Sequence, residues 1–241
     1  RLVNAADEPE NWLMYSGTLD SQRFSQLDQV HNRNVGGLEL KWAYQIPQLN
    51  RAETTPLVVK DQVVTGIAGG EFGIRGFLDS YNAASGELEW RTHTIPGKGE
   101  FGYDSWGDIP EEDRRGGSAW NSPSYDPDLN LIYTGVGVPI PWGSVQRGSG
   151  DGDVLYTNST LALNADTGDI AWYFQHIPND EWDLDHPFAR LVLETEVSPG
   201  AVEWKNNAIT PGNRRKIVTG IPGKTGIVWA LDAATGAFLW A

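Results

Sequence analysis

The 241-residue sequence has no cysteine and only one methionine. Without cysteine it cannot form disulfides, thiolate metal sites or a cysteine nucleophile, and its redox compartment cannot be inferred from thiols. Any metal must be held by oxygen atoms or by the four histidines. The sequence contains no apolar run of about 18 residues to span a bilayer and opens without a signal-peptide core. We therefore expect a soluble chain, either mature or cut.

Basic residues are also scarce, with 18 Lys and Arg against 32 Asp and Glu, which gives a formal net charge of -14. A phosphate backbone or an anionic membrane surface would repel such a chain, so we expect no nucleic-acid partner. Its hydrophobic content of 39% is enough for a substantial core, in one large all-β domain or two smaller ones.

Tryptophan and glycine are abundant, with 11 and 28 residues. A weak repeat combines them: a small residue, then Asp or Asn, then Thr-Gly or Ser-Gly, with Trp four positions after the Gly. Its copies occupy residues 80–90, 162–172 and 230–240, and a degenerate fourth copy ends at Trp42. Each copy predicts a β-hairpin in which an Asx turn reverses the chain and the next strand starts with Trp.

Other apolar runs supply the remaining strands of each unit, for example at residues 62–66, 131–135 and 216–220. Four strands per unit and several units per chain predict the blades of a β-propeller. The alternative is ordinary hairpin chemistry in an unrelated sandwich, which the recurrence of the repeat disfavours. Residues 97–117 and 143–152 form insertions too long for simple hairpin loops, and long loops often carry functional sites.

The tryptophan repeat is similar to the docking motif of the eight-bladed quinoprotein alcohol dehydrogenases, which use pyrroloquinoline quinone (PQQ) and a metal ion. The segment GGEFGIRG at 69–76 resembles the family segment that approaches the quinone plane. By this resemblance Ala68, Gly69 and Gly70 contact PQQ, and Glu71 binds Ca²⁺ or a lanthanide ion. Clustered glycines let backbone approach a flat ligand, and a carboxylate suits a hard cation. A glycine-rich hairpin with a solvated Glu is the alternative.

The segment GGSAW at 116–120 resembles the stretch in which a Trp forms the floor under the quinone and a nearby hydroxyl binds its polar edge. The resemblance assigns these roles to Trp120 and Ser118. A rigid indole stacks well on a planar cofactor, and a serine hydroxyl can donate a hydrogen bond. Without the motif, Trp120 would be taken for a packing residue.

The segment WYFQHIPNDEWDLD at 172–185 resembles the family segment that carries the catalytic base, which here is Asp183. A carboxylate beside a cation stays ionised and can take a proton from an alcohol. In the family an acid at the position of Asp185 goes with lanthanide use, so Asp183 and Asp185 are both expected metal ligands. We expect Asp180 and Glu181 to lie in a solvated loop.

The segment GKTG at 223–226 resembles the place where the family sets a basic residue against the quinone oxygens, here Lys224. A cation there can stabilise negative charge on the reduced quinone, although a simple turn lysine is the alternative. One departure concerns the metal: where the family has an Asn ligand, the segment GVGVPIPW at 135–142 has Val138, whose side chain cannot coordinate. Metal binding is then expected to be altered.

A second departure is length. The chain reads as a single, partial β-propeller domain over residues 1–241, with about two blades deleted at a junction near residues 56–60. Residues 51–59 start like the family's first blade, and the sequence continues at Lys60 like a later one. The family's adjacent-cysteine ring would fall in that gap. The chain also stops one residue after a docking Trp, where a full relative continues.

The resemblance implies PQQ-dependent oxidation of small alcohols by hydride transfer, with electrons passed to a cytochrome c in the bacterial periplasm. The alternative is a non-catalytic propeller scaffold or degraded paralogue that has lost its cofactor. Because an open arc of blades leaves apolar faces uncovered, we also expect the chain to form a homo-oligomer.

Overall fold

The computed structural model describes residues 2–45 and 53–241, so the start of the expected first-blade segment, residues 51 and 52, lies outside the described part. The described chain is built mainly from strands. Its one α-helical turn is α1 (Ser144–Arg147), and short 3-10 helices lie at Leu2–Asp7, Val35–Gly37, Gly70–Phe72, Tyr103–Trp106 and Glu111–Asp113. In these residues no helix is both long and apolar enough to cross a membrane.

Three four-stranded antiparallel sheets follow one another along the chain, and we call them the first, second and third blades. Numbering all strands in chain order, the first blade contains β1 (Leu57–Val59), β2 (Gln62–Gly66), β3 (Phe77–Asn82) and β4 (Leu88–His93). The second contains β6 (Ser124–Asp126), β7 (Leu131–Gly135), β9 (Ser159–Asn164) and β10 (Ile170–Gln175). The third contains β11 (Leu191–Glu196), β12 (Arg214–Gly220), β13 (Trp229–Asp232) and β14 (Phe238–Trp240). A separate two-stranded ribbon pairs β5 (Arg115–Gly116) with β8 (Pro139–Ile140).

The tryptophan repeat joins each blade to the next. The Trp of one repeat donates its indole N–H to a backbone carbonyl in the turn of the following repeat, and its ring lies against the glycine of that turn. The bonded pairs are Trp42 with Ala83 (3.1 Å), Trp90 with Ala165 (3.0 Å) and Trp172 with Ala233 (3.0 Å). The degenerate copy at Trp42 docks in the same way, although residues 38–45 form no strand. The predicted blades and docking repeats are confirmed.

The second blade is buried on both faces, which explains its nearly continuous apolar strands. In β9, Leu161 and Leu163 pack into the cluster shared with the first blade, whereas Ala162 packs into the cluster shared with the third. In β7, Ile132 faces the first blade and Tyr133 faces the third. Successive strand residues point to opposite faces, so a blade between two others needs apolar residues at every position.

The third blade has a neighbour on one side only, and its first strand remains open. Along β11, Leu191 and Leu193 are 47% and 38% exposed. They line an open groove of about 400 Å³ together with Leu19 and Tyr125. The three sheets form an arc rather than a closed ring.

We expect the 241-residue polypeptide, expressed alone, to associate or aggregate rather than remain a monomer, because exposed apolar strands and unpaired edges drive association. Light scattering on a soluble preparation should give a mass above that of one chain. Replacing Leu191 and Leu193 by lysine should raise the monomer fraction, whereas Val145→Lys, at an isolated exposed position, should not. A monodisperse wild-type monomer with one cooperative thermal transition would show that closure is not required.

Candidate functional site

Four of the predicted cofactor and metal residues line one cleft of about 370 Å³. They are Ala68, Gly69, Glu71 and Trp120, and the cleft is completed by Glu53 and Phe72. Gly69 adopts a left-handed backbone with φ of 97°, which favours glycine and lets the chain turn sharply above the indole. Phe188 packs edge-on against Trp120 with ring centroids 6.3 Å apart, which fixes the indole plane. The cleft therefore combines a flat aromatic wall with small residues.

Ser118 holds the glycine loop of this cleft in place. Its buried hydroxyl oxygen accepts the backbone N–H of Gly70 at 2.8 Å. A Cβ atom on Gly70 would lie 2.6 Å from that oxygen, so the contact requires glycine. The donation from Ser118 to a cofactor, inferred from the sequence, stays a prediction.

Three further predicted residues form a charged cluster, which we call the Asp183 cluster: Asp183, Asp185 and Lys224. The ammonium group of Lys224 lies 2.8 Å from Oδ2 of Asp183 and 3.0 Å from Oδ2 of Asp185. Burial would lower the pKa of Lys224, but its hydrogen bonds to the two carboxylates raise it overall. Burial raises the pKa of Asp185 and outweighs the opposing effect of Lys224. The cluster thus holds two acids around one cation at the edge of solvent.

Val138 contacts this cluster through its backbone. Its N–H donates to Oδ1 of Asp185 at 3.2 Å, and its side chain is buried. The position at which the family has an Asn ligand therefore orients the carboxylate of Asp185 here through a backbone N–H. Any residue except proline could provide that N–H.

Asp180 organises the loop that carries Asp183. It is 2% exposed, and its carboxylate accepts the backbone N–H groups of Trp182 (2.8 Å) and Leu184 (2.7 Å) and the side-chain amide of Asn158 (2.7 Å). Three donors converge on one carboxylate, so the expectation of a solvated Asp180 is wrong. Glu181 is exposed, as expected, and accepts the N–H of Ser144 at 2.9 Å.

Replacing Asp180 by Asn should destabilise the protein by about 1–3 kcal/mol, because the new NH₂ group would face N–H donors and leave them unsatisfied in a buried place. Asp183, which the loop holds with φ of 58°, should lose its fixed position. Urea unfolding and hydrogen exchange of the Leu184 amide would measure both effects. Asp169→Asn, at an exposed turn, serves as the control. Unchanged stability and exchange in Asp180→Asn would show that Asp180 does not organise the loop.

The backbone of Gly137 joins the cleft to the Asp183 cluster. Its N–H donates to the carbonyl of Ser118 at 2.9 Å, and a Cβ atom on it would lie 3.0 Å from Oδ1 of Asp185. Glu71 does not join the two aspartates: among residues 2–45 and 53–241, no three acidic or histidine side chains gather closely enough to hold a metal ion. The predicted metal ligands are thus split between the two parts of the site.

Two cleft residues, Glu53 and Phe72, were missed by reasoning from the sequence. Glu53 lies in the segment that starts like the family's first blade, but that segment was used only to locate the shortened junction, and no site role was assigned to Glu53. Phe72 lies inside the glycine-rich segment, but an aromatic residue there gives no signal that distinguishes cleft lining from core packing.

The profile of the family described as PQQ: Glucose/ethanol/alcohol dehydrogenase, beta-propeller domain, matches residues 12–65 and 47–241. Quinohemoprotein alcohol dehydrogenase ADH IIB of Pseudomonas putida is 33% identical over 239 residues, covering 94% of this chain and 32% of that protein. ADH-IIG of the same organism is 27% identical over 346 residues, covering 99% of this chain and 46% of its own length.

The solved structure of ADHIIG from Pseudomonas putida HK5 superposes with a TM-score of 0.70, covering 99% of this chain and 48% of that one. The chain therefore spans about half, or less, of the length of these relatives. The β-propeller and the family resemblance inferred from the sequence are both confirmed. Since the family profile covers well over half of the residues, the chain belongs to the PQQ-type β-propeller domains of glucose, ethanol and alcohol dehydrogenases.

Proposed function

We propose that this chain carries the PQQ site and the catalytic carboxylate of an alcohol dehydrogenase that oxidises small alcohols. The observation that carries the proposal is the connection, through the backbone of Gly137, of a flat-walled cleft to a carboxylate–lysine cluster. The names of its relatives, quinohemoprotein alcohol dehydrogenases, support the same reaction class. Electron transfer to a cytochrome c and a periplasmic location belong to the proposal and rest on the family resemblance alone.

The cleft fits a planar quinone. Trp120 provides a flat face braced by Phe188, and Ala68 and Gly69 line the same cleft without bulky side chains. Flat ligands gain most from such offset stacking on a rigid indole. When bound, PQQ supplies the two-electron acceptor that the oxidation of an alcohol requires.

The Asp183 cluster supplies the proton chemistry. Oxidation of an alcohol to an aldehyde removes a hydride from carbon and a proton from oxygen, and the carboxylate of Asp183 is the acceptor that we assign to the proton. Lys224 keeps this carboxylate oriented by its 2.8 Å contact, and its positive charge would stabilise negative charge on a bound, reduced quinone. Asp180 fixes the loop geometry.

The residues fit a metal ion only in part. Ca²⁺ takes about six to eight oxygen ligands, whereas the Asp183 cluster offers two carboxylates that already share Lys224. Val138 adds no donor side chain, and Glu71 stands in the other part of the site. The role of Asp183, Asp185 and Glu71 as metal ligands therefore stays a prediction, and the proton transfer described above does not depend on it.

A non-catalytic scaffold is the second candidate, and the specific observation in its favour is Val138 in place of a metal-binding Asn. The two candidates differ in cofactor retention. Protein mixed with PQQ and either Ca²⁺ or La³⁺ should keep the quinone absorption band through gel filtration if the cleft is a PQQ site. Loss of the whole band with both ions would favour the scaffold.

Trp120→Ala should weaken PQQ binding by about 10-fold or more, because it removes the stacking surface. Equilibrium titration of quinone absorption or fluorescence would measure the change. Trp142→Ala, at a half-exposed tryptophan outside the cleft, is the matched control and should bind PQQ like the wild type. Equal affinity in both variants would remove Trp120 from the site.

We also propose that the chain is internally shortened near residues 56–60. Two matches of the family profile overlap at residues 47–65, and the 241 residues spread over 346 aligned positions of ADH-IIG, which supports a missing stretch. The first blade nevertheless pairs normally there: β1 (Leu57–Val59) is hydrogen-bonded to β2, and Trp12 forms a bridge to Val58 on its other edge.

A further inference from the structure

A buried arginine lies between the second and third blades without a negative partner. Arg190 is 4% exposed, and its guanidinium donates to the hydroxyl of Thr160 at 2.9 Å, to the carbonyl of His186 at 2.8 Å and to the carbonyl of Phe188. All three acceptors are neutral, and no described carboxylate forms an ion pair with it. Burial lowers the pKa of Arg190 to about 9, so the group is still charged at neutral pH.

A small cavity of about 10 Å³ adjoins this guanidinium. Its polar lining includes Thr160, His176 and Trp229, and the remainder is mostly apolar, with Val218 and Leu231. The indole N–H of Trp229 and Nδ1 of His176 are both buried and have no hydrogen-bond partner. Orphaned polar atoms are rare in protein interiors, so these two nitrogens have hydrogen-bonding capacity that a ligand could use.

Of these two nitrogen atoms, that of Trp229 is a hydrogen-bond donor. The hydroxyl oxygen of Thr160 accepts from Arg190 and lies 2.8 Å from Nε2 of His176, and the tautomer of the imidazole sets the direction of that second hydrogen bond. Burial keeps the His176 ring neutral by lowering its pKa well below the ordinary value. An indole nitrogen can only donate. One cation and one unused N–H donor thus belong to residues that line the same cavity.

We propose that this cavity binds a single small anion of the halide class, chloride under ordinary conditions, between Arg190 and Trp229. A charge buried without a countercharge is strongly disfavoured, and an anion here would compensate it. The cavity is close to the room that one water-sized sphere needs, which excludes phosphate and carboxylate ligands. A water molecule could accept from the donors but would leave the charge of Arg190 uncompensated.

Such an ion would tie two blades together beside the proposed catalytic loop. Thr160 belongs to β9 of the second blade, whereas Trp229 belongs to β13 of the third. His186, whose carbonyl binds Arg190, directly follows Asp185. The site is therefore a structural one, independent of whether the chain binds PQQ.

Crystals of the 241-residue chain grown with sodium bromide should give an anomalous peak within hydrogen-bond distance of Arg190 and the indole nitrogen of Trp229. In solution, in whichever assembly the chain forms, replacing gluconate by chloride at equal ionic strength should raise the midpoint of thermal unfolding by about 2–4 °C. Hydrogen exchange in β9 and β12 should slow at the same time. The absence of an anomalous bromide peak at this position, or equal midpoints of thermal unfolding in chloride and gluconate, would overturn the proposal.

Two variants separate a specific anion from a general salt effect. Arg190→Met removes the charge and should make stability independent of the halide. Should that variant fail to fold, Trp229→Phe keeps a ring but loses the N–H and should reduce the chloride response at least by half. Trp204→Phe, a half-exposed neighbour outside the cavity, should respond like the wild type. A full chloride response in Trp229→Phe would exclude the proposed coordination.

Discussion

Replacement of Asp183 by Asn is expected to lower the kcat of alcohol oxidation by about 100- to 10,000-fold while PQQ stays bound, because general-base catalysis contributes that much. Asn keeps the size of the side chain and an oxygen that can still accept from Lys224, but it cannot take a proton at neutral pH. A base acts on the barrier of the reaction, whereas the Trp120 surface acts on affinity. The measurement is steady-state turnover with an artificial electron acceptor, in a preparation that oxidises alcohol when supplied with PQQ.

Glu181→Gln is the matched control for this experiment. Glu181 lies two residues from Asp183, is exposed, and accepts the N–H of Ser144 through an oxygen that glutamine retains. The control should keep wild-type turnover. Full activity in Asp183→Asn, or equal losses in both variants, would contradict the assignment of Asp183 as the base.

The blades could be predicted because the docking contact of each depends on a few residues that lie close together in the sequence. Each repeat needs Asx to form the turn, and Gly to adopt a left-handed backbone under the neighbouring indole, as Gly236 does with φ of 72°. A Cβ there would lie 2.5 Å from the ring of Trp172. Requirements of this kind fix residue types at set spacings, so the repeat can be recognised from the sequence before the fold is known.

The site could be predicted in its parts but not in its arrangement. The motif segments contain Trp120, Asp183 and Lys224, and the structure gathers them in two connected groups. The burial of Asp180 was missed because its partner Asn158 lies 22 positions away and belongs to no motif. A pattern of single residues cannot reveal donors that converge from separate segments.

The burial of Arg190 was even harder to predict from the sequence than that of Asp180. Arg190 stands just before β11, and a single arginine between apolar neighbours gives no sign of where its guanidinium lies. Its burial depends on Thr160, 30 positions earlier, and on the approach of the third blade to the second. Only the packing of complete sheets brings these groups together, so local sequence gives no sign of it.

Trp172→Ala is expected to destabilise the protein by about 3–5 kcal/mol, the range for truncation of a buried tryptophan. The indole of Trp172 is 8% exposed, packs against Tyr133 with ring centroids 5.7 Å apart, and donates to the carbonyl of Ala233. Its loss removes one of the side-chain connections between the second and third blades, which also include those of Tyr133 and Lys216. Because a few kcal/mol is a large part of the stability of an ordinary domain, the third blade should unfold first.

Urea unfolding followed by circular dichroism, at one protein concentration to hold association constant, would measure this effect. Trp172→Phe should lose less, about 1–3 kcal/mol, since it keeps an aromatic ring and removes only one of two hydrogen bonds to the carbonyl of Ala233, which also accepts from the hydroxyl of Tyr133 at 3.0 Å. Trp182→Ala is the control, because Trp182 is 80% exposed and its truncation should change stability by less than about 0.5 kcal/mol. If Trp172→Ala unfolds at the same urea concentration as this control, then docking tryptophans do not hold the blades together, and the apolar clusters between the sheets must do so alone.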